Sequence, residues 1–266
     1  MKIGIITHYD VHNHGAQLQL YALSTELRQM GNEAQALQYK KNYDFLEQGI
    51  ENKYSISIKS IPIYVKYLLK KGFKRTLYNI RKRKVLNKFR DNEKLNGEYY
   101  SKATNLDATV IGSDEIFSIE PGLNPWFWGM GIPCDHIISY AASFGPTTLS
   151  FIKKKRAEEF IEAGAKRIDK ISVRDQNSKD IINTFSSKEV SLVCDPVLLH
   201  DFTKERQCNK AKKGNKKYCV VYSYDDNMND EETVNFLFNR YDIAPYSAGE
   251  IVIKVPYEEI GQWIKN

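Results

Sequence analysis

Lys2-Ile3-Gly4-Ile5-Ile6-Thr7 opens the chain as a β-branched run, and His8-Tyr9-Asp10-Val11-His12-Asn13-His14-Gly15 follows as a polar loop. From Ala16 to Met30 the apolar residues Leu18, Leu20, Tyr21, Leu23, Leu27 and Met30 recur at helical spacing. Gly31-Asn32 then supplies a helix stop, and Glu33 to Tyr39 returns as a second extended run. Strand, loop, helix and strand in this order make a βαβ unit. Such a unit requires a parallel sheet and a right-handed crossover, so an α/β fold is expected.

The same grammar continues downstream. Ala108-Thr109-Val110-Ile111-Gly112-Ser113-Asp114 reads as a strand ending in a tight turn, and Ile137 to Gly145 as another. Thr148 to Ala165 reads as one helix, Ile171-Ser172-Val173-Arg174 as a short strand, Asp180 to Phe185 as a helix, and Ser191 to Pro196 as a further strand exit. Each strand terminates in small or polar residues: Gly-Ser-Asp, Ser-Phe-Gly, Arg-Asp, Asp-Pro. In an open α/β sheet those carboxyl ends line the ligand crevice. Arg174 there can grip a carboxylate or phosphate with its planar fork, or can pair with Asp175 or Asp195 to hold a loop. Asp114 either orients a ligand or caps a turn. Asp195-Pro196 reads as a structural exit from its strand that also salt-bridges Arg174. Gly15 reads first as a turn residue and second as a point of close approach.

Between these elements lies a basic stretch. Lys66, Lys70, Lys71, Lys74, Arg75, Arg81, Lys82, Arg83, Lys84, Lys88, Arg90 and Lys94 are opposed only by Asp91 and Glu93. Within 62–90, Val65, Leu69, Phe73, Leu77 and Ile80 fit one or two basic amphipathic helices interrupted near Gly72, with the stripe packed on the main domain and the lysines in water. A surface for anionic lipid or glycan is the alternative, and no nucleic-acid recognition motif accompanies the charge. Residues 202–217 read as a linker. Tyr218–Tyr222 (strand), Asp230–Tyr241 (helix), Glu250–Val255 (strand) and Tyr257–Lys265 (helix) begin a second βαβα run. About 50 residues cannot bury their own doubly wound sheet, so that domain is expected to continue past Asn266.

Composition limits the class. With 266 residues, 42% hydrophobic and 27% charged, the chain can bury a globular core. No apolar run reaches the roughly 20 residues of a membrane span, and no apolar leader with a small-residue cleavage site opens the chain. Cys134, Cys194, Cys208 and Cys219 are scattered without a CxxC pair, which speaks against zinc and against a disulfide framework. A reduced, cytoplasmic protein is expected. His8, His12, His14 and Asp10 share a loop read as substrate-facing, with no metal assigned. Trp126, Phe127 and Trp128 suggest a sugar-stacking platform or, preferred, a hydrophobic lid or interdomain plug.

Five ordered pieces resemble the polysaccharide pyruvyl transferase family. They are Asn13-His14-Gly15-Ala16-Gln17-Leu18-Gln19-Leu20-Tyr21-Ala22-Leu23, Ile111-Gly112-Ser113-Asp114-Glu115, Tyr140-Ala141-Ala142-Ser143-Phe144-Gly145, Ile171-Ser172-Val173-Arg174-Asp175 and Cys194-Asp195-Pro196-Val197-Leu198-Leu199. Val255 to Asn266 also looks like the family's helix before its second-domain active-site loop. The resemblance implies two Rossmann-like domains in a GT-B-like arrangement: 1–203, carrying a basic helical insertion at about 60–95, and 216–266 as the start of a truncated second domain. It implies transfer of a pyruvyl group from phosphoenolpyruvate, a donor substrate rather than a cofactor, to a sugar of a bacterial surface polysaccharide as a cyclic ketal. Arg174 and Asp114 would be catalytic, Arg174 binding the donor and Asp114 orienting an acceptor hydroxyl or acting as base. Asn13, Gly15, Ser113, Ser143 and Gly145 would bind substrate. The acceptor would be a sugar or lipid-linked oligosaccharide, with peripheral contact at the inner membrane face through 62–90. Two departures stand out. Ala16 occupies the place where many members carry aspartate, and the family's Ser-Phe-His-Gly-like loop would begin after Asn266. A GT-B glycosyltransferase with a nucleotide-sugar donor, and an inactive truncated binding protein, are the competing readings.

Overall fold

Lys2–Ile6 (β1) forms the middle strand of a five-stranded parallel sheet in the computed structural model, which describes residues 1–39, 73–208, 243–246 and 250–253. Glu33–Gln38 (β2) and Asn96–Tyr99 (β3) lie on one side of it, Ala108–Ile111 (β4) and Ile137–Ser139 (β5) on the other. Ile5 pairs with Ala36 of β2 and with Val110 of β4, both in parallel register. The backbone ladder then runs on through isolated parallel bridges, Ile138 to Lys170 and Ala142 to Val173. These bring Ile171–Val173 (β6) beside β5, and β6 pairs in parallel with Val190–Leu192 (β7). Chain order reverses between β1 and β4, which is where a doubly wound sheet opens its ligand crevice.

Alternation along the strands explains the two covered faces. Ile3, Ile5 and Val110 pack with Leu20 and Leu23 of His14–Gln29 (α1), and with Leu95 at the exit of Phe73–Asn92 (α2). Ile6, Ile111 and Ile137 point the other way. There they meet Ile152 of Leu149–Lys154 (α3), Ile161 of Glu158–Arg167 (α4) and Ile181 and Ile182 of Gln176–Phe185 (α5). Side chains alternate across a strand, so neighbouring isoleucines serve opposite layers. Side-chain caps start three of these helices: Asn13, Thr148 and Asp175 each accept from a backbone N–H of the first turn.

The structure corrects several expectations. Helix α1 begins at His14, so Gly15 lies in its first turn rather than in a turn before it. Its buried face is rotated: Leu18 and Met30 are 41% and 72% exposed, while Gln17, Gln19 and Ser24 are buried. The single helix expected over Thr148 to Ala165 is two helices, broken where Arg156 takes φ 51° ahead of Ala157. The strand expected over Ile137 to Gly145 pairs regularly for three residues only. Strand β3 was not anticipated, since Asn-Gly-Glu-Tyr carries no strand signature. Helix α2 is held by Leu86, Phe89 and Arg90, and Ile80, expected on the packed stripe, is 53% exposed. Pro125–Trp128 forms a 3-10 helix with Trp126, Phe127 and Trp128 all buried, which removes them as a sugar-stacking platform. Trp128 stacks on Phe117 with ring centroids 4.2 Å apart, and a Cβ at Gly164 of α4 would stand 2.4 Å from its ring.

The chain divides into two compact units, Met1–Asp201 and Phe202–Asn266. In the second, Thr203–Cys208 (α6) is helical and Ile243–Tyr246 (β8) pairs antiparallel with Glu250–Ile253 (β9). The strand expected at Glu250 to Val255 is therefore present, but its neighbour is an unanticipated antiparallel strand. The elements expected within 40–72 and at 218–222, 230–241 and 257–265 lie outside the described residues. Among the described residues no helix is long and apolar enough to cross a membrane.

Candidate functional site

The carboxyl ends of β1, β4, β5, β6 and β7 meet through backbone bonds. Gly112 N donates to Ile6 O at 2.9 Å, and the Thr7 hydroxyl donates to Ser113 O at 3.0 Å, tying β4 to β1. Gly112 has φ 120°, and a Cβ there would stand 2.2 Å from the Tyr140 carbonyl oxygen. Glycine is needed at this position because backbone occupies the space. The Gly112–Ser113 peptide is cis. Asp114 follows at φ 83°, a left-handed conformation that costs a non-glycine residue energy and is enriched at functional sites. Its Oδ1 accepts from Glu115 N at 2.9 Å, and its carbonyl accepts from Ser143 N at 2.9 Å.

Arg174 leaves β6 with its N–H bound to Ala142 O. Its Nη1 donates to Asp195 Oδ2 at 3.0 Å, and its Nη2 stands 3.8 Å from Asp114 Oδ1. The first is a charge-assisted hydrogen bond; the second is an ion pair too long to be one. Asp175 turns away to cap α5, accepting from Ser178 N at 2.8 Å, so Asp195 and not Asp175 is the arginine's partner. The side chains of Arg174, Asp114 and Asp195 are each about a quarter exposed, at 25%, 23% and 22%. A ligand can therefore reach them while much of their hydration is already lost. Two carboxylates face one guanidinium here. An incoming anion has to displace Asp114 from Arg174 or arrive with a proton for it, and the longer contact makes Asp114 the partner that yields.

Tyr140 stands beside this pair. Burial first, then the neighbouring Cys194 and Asp195, together push its hydroxyl up to about 12. It is a hydrogen-bonding phenol at working pH. Ser143 is buried and its hydroxyl accepts from Gly145 N at 2.8 Å. Gly145 has φ 55°, and a Cβ there would run into the Glu115 side chain. Ser113 is 1% exposed, and its hydroxyl has no partner among the described residues. The structure thus brings Ser113, Asp114, Ser143, Gly145 and Arg174 together. Asn13 and Gly15 stand one element away, exposed at the start of α1, where Asn13 Oδ1 accepts from Gly15 N at 2.8 Å.

The loop between β1 and α1 is pinned from two sides. Gln17 Nε2 donates to the carbonyls of Tyr9 and Val11 at 2.8 and 3.1 Å. Arg90, buried at the end of the basic helix α2, donates to Tyr9 O at 2.6 Å and to Asp10 Oδ1 at 3.0 Å. His8 packs edge-on against Phe127. Among the described residues, no group of three or more His, Cys, Asp and Glu is placed to hold a metal ion. Gln19, Tyr140 and Arg90 were not singled out by the sequence. Gln19 and Tyr140 lay inside the family-like pieces without a role of their own, and Arg90 inside the basic stretch.

A family model described as polysaccharide pyruvyl transferase matches residues 13–264. No curated protein matches the chain. No solved structure matches it.

Proposed function

The chain belongs to the polysaccharide pyruvyl transferase family, and on that footing we propose that it moves a pyruvyl group from phosphoenolpyruvate onto two hydroxyls of one sugar in a surface polysaccharide or its lipid-linked precursor. The enol carbon gains a proton, the neighbouring carbon is attacked in turn by the two hydroxyl oxygens, and inorganic phosphate leaves. The product is a cyclic ketal that keeps the carboxylate. Such a reaction needs a cation for the donor's carboxylate or phosphate, a base for the acceptor hydroxyl and an acid for the enol carbon.

Arg174, fixed by Asp195 with Nη2 only loosely engaged, supports the donor role; this observation carries the reading. Asp114, which an arriving anion would release from Arg174, is suited to take the acceptor's proton. Ser113, Ser143, Gly145, Asn13 and Gly15 are proposed as the surrounding substrate wall, the donor entering as substrate without a resident cofactor. The same reading carries a GT-B-like arrangement, with 1–203 as one Rossmann-like half and 216–266 belonging to the other. Arg174→Ala should lower kcat/KM for phosphoenolpyruvate roughly 10²–10³-fold, the loss of one charge-assisted donor pair. Equal turnover and equal donor affinity in the variant would remove Arg174 from the site.

Helix α2 adds a proposed location, peripheral at the inner membrane face. Arg81, Arg83, Lys84 and Lys88 are exposed together with Tyr78, Ile80 and Val85. Cations beside apolar side chains suit an anionic lipid surface, at about 1 kcal/mol per basic residue. Flotation with phosphatidylglycerol vesicles should retain the protein at low salt and release it at high salt. Recovery in the unbound fraction at low salt would exclude this contact.

A further inference from the structure

We propose that Gln19 is a positioning residue for Arg174, acting through Asp195. Asp195 Oδ2 accepts from both Gln19 Nε2 and Arg174 Nη1, while Oδ1 accepts from Val197 N. Both carboxylate oxygens are thereby engaged, and the group can neither rotate nor slide along the guanidinium. The amide of Gln19 has one admissible orientation, because a carboxylate only accepts. That orientation leaves Gln19 Oε1 buried without a partner among the described residues. A residue placed there for packing alone would be apolar, and Leu18, the apolar neighbour, is exposed instead. Two helical turns further along the same face of α1, Glu26 Oε1 meets His200 Nδ1 at 2.7 Å. Helix α1 therefore grips the segment from Asp195 to His200 at two points, and the first of them sets which nitrogen of Arg174 is bound. With Asp195 immobilised on Nη1, Nη2 stays on the side of Asp114.

The role in donor binding rests on the function proposed above, whereas the restraint on Arg174 does not. The test separates them. In protein labelled with ¹⁵N-arginine, assigned by Arg174→Lys, rotation of the Arg174 guanidinium is read by NMR in the wild type, in Gln19→Met and in Gln19→Leu. Rotation should quicken about tenfold in both variants, with melting temperatures near the wild type's. The leucine variant also removes the amide without adding charge and remains informative should the methionine variant fold poorly. Phosphoenolpyruvate affinity should weaken by a similar factor. Unchanged rotation in a folded variant would overturn the proposal. Faster rotation in a protein that shows no affinity for phosphoenolpyruvate would uphold the positioning role and remove the donor reading.

Discussion

Two layers cover the same parallel sheet with different materials. On one face Phe117, Trp126, Phe127, Trp128 and Phe144 pack ring against ring over Ile6, Ile111 and Ile137. On the other, α1 sets Gln17, Gln19 and Ser24 among its leucines. The aromatic layer makes contacts that any similarly shaped apolar set would make, and its contribution is burial. The polar residues of α1 gain little from burial. Gln17 holds the Tyr9–Val11 backbone and Gln19 holds Asp195, which in turn holds Arg174. The difference teaches where to look for function: the two buried glutamines of α1 reach groups that follow the carboxyl ends of β1 and β7.

Substitutions on the two layers should separate stability from positioning. Trp128→Ala should cost most, roughly 3–5 kcal/mol, because the stacked Phe117 and the close Gly164 cannot refill the space. Chemical denaturation reads this directly, and a loss under about 1 kcal/mol would show that the layer collapses to fill the gap. Gln19→Met should shift stability by less than about 1 kcal/mol in the same assay, since Asp195 keeps its bonds to Arg174 and to Val197 N. A loss as large as that of Trp128→Ala would make the two layers equivalent. The smallest effect belongs to Tyr140. Its folded value lies near 12 against an ordinary 10.0, so the stability it contributes is complete below pH 10 and is lost as pH climbs from 10 towards 12. Tyr140→Phe should flatten that alkaline limb and leave the profile near neutrality unchanged. Identical limbs in the two proteins would place the phenol in ordinary solvent.

Legibility in the sequence followed the physics of each element. The strands β1, β4 and β6 were readable because burial on both faces favours short apolar runs ending in small or polar residues, and β2 by its place after the helix stop at Gly31-Asn32. Arg174 and Asp114 were readable as strand-end residues for the same reason, and Asp195 as the arginine's partner through its place after β7. The face of α1 was misread because a tertiary demand, two glutamines binding loop backbone and a carboxylate, overrode the apolar pattern. The break at Arg156 left no trace, since neither glycine nor proline marks it. Strand β3 is polar because its neighbour β2 lies on one side only. Arg90 was hidden among eleven other basic residues between Lys66 and Lys94, all alike in one dimension.

Cys194 has an exposed thiol next to Tyr140 and Asp195, whereas Cys134 is buried. Of these two thiols, a maleimide dye would thus take Cys194, at the rim where the strand ends converge. With Cys208 and Cys219 replaced by serine, a label there becomes an optical reporter of occupancy, with the protein's own chain as the linker.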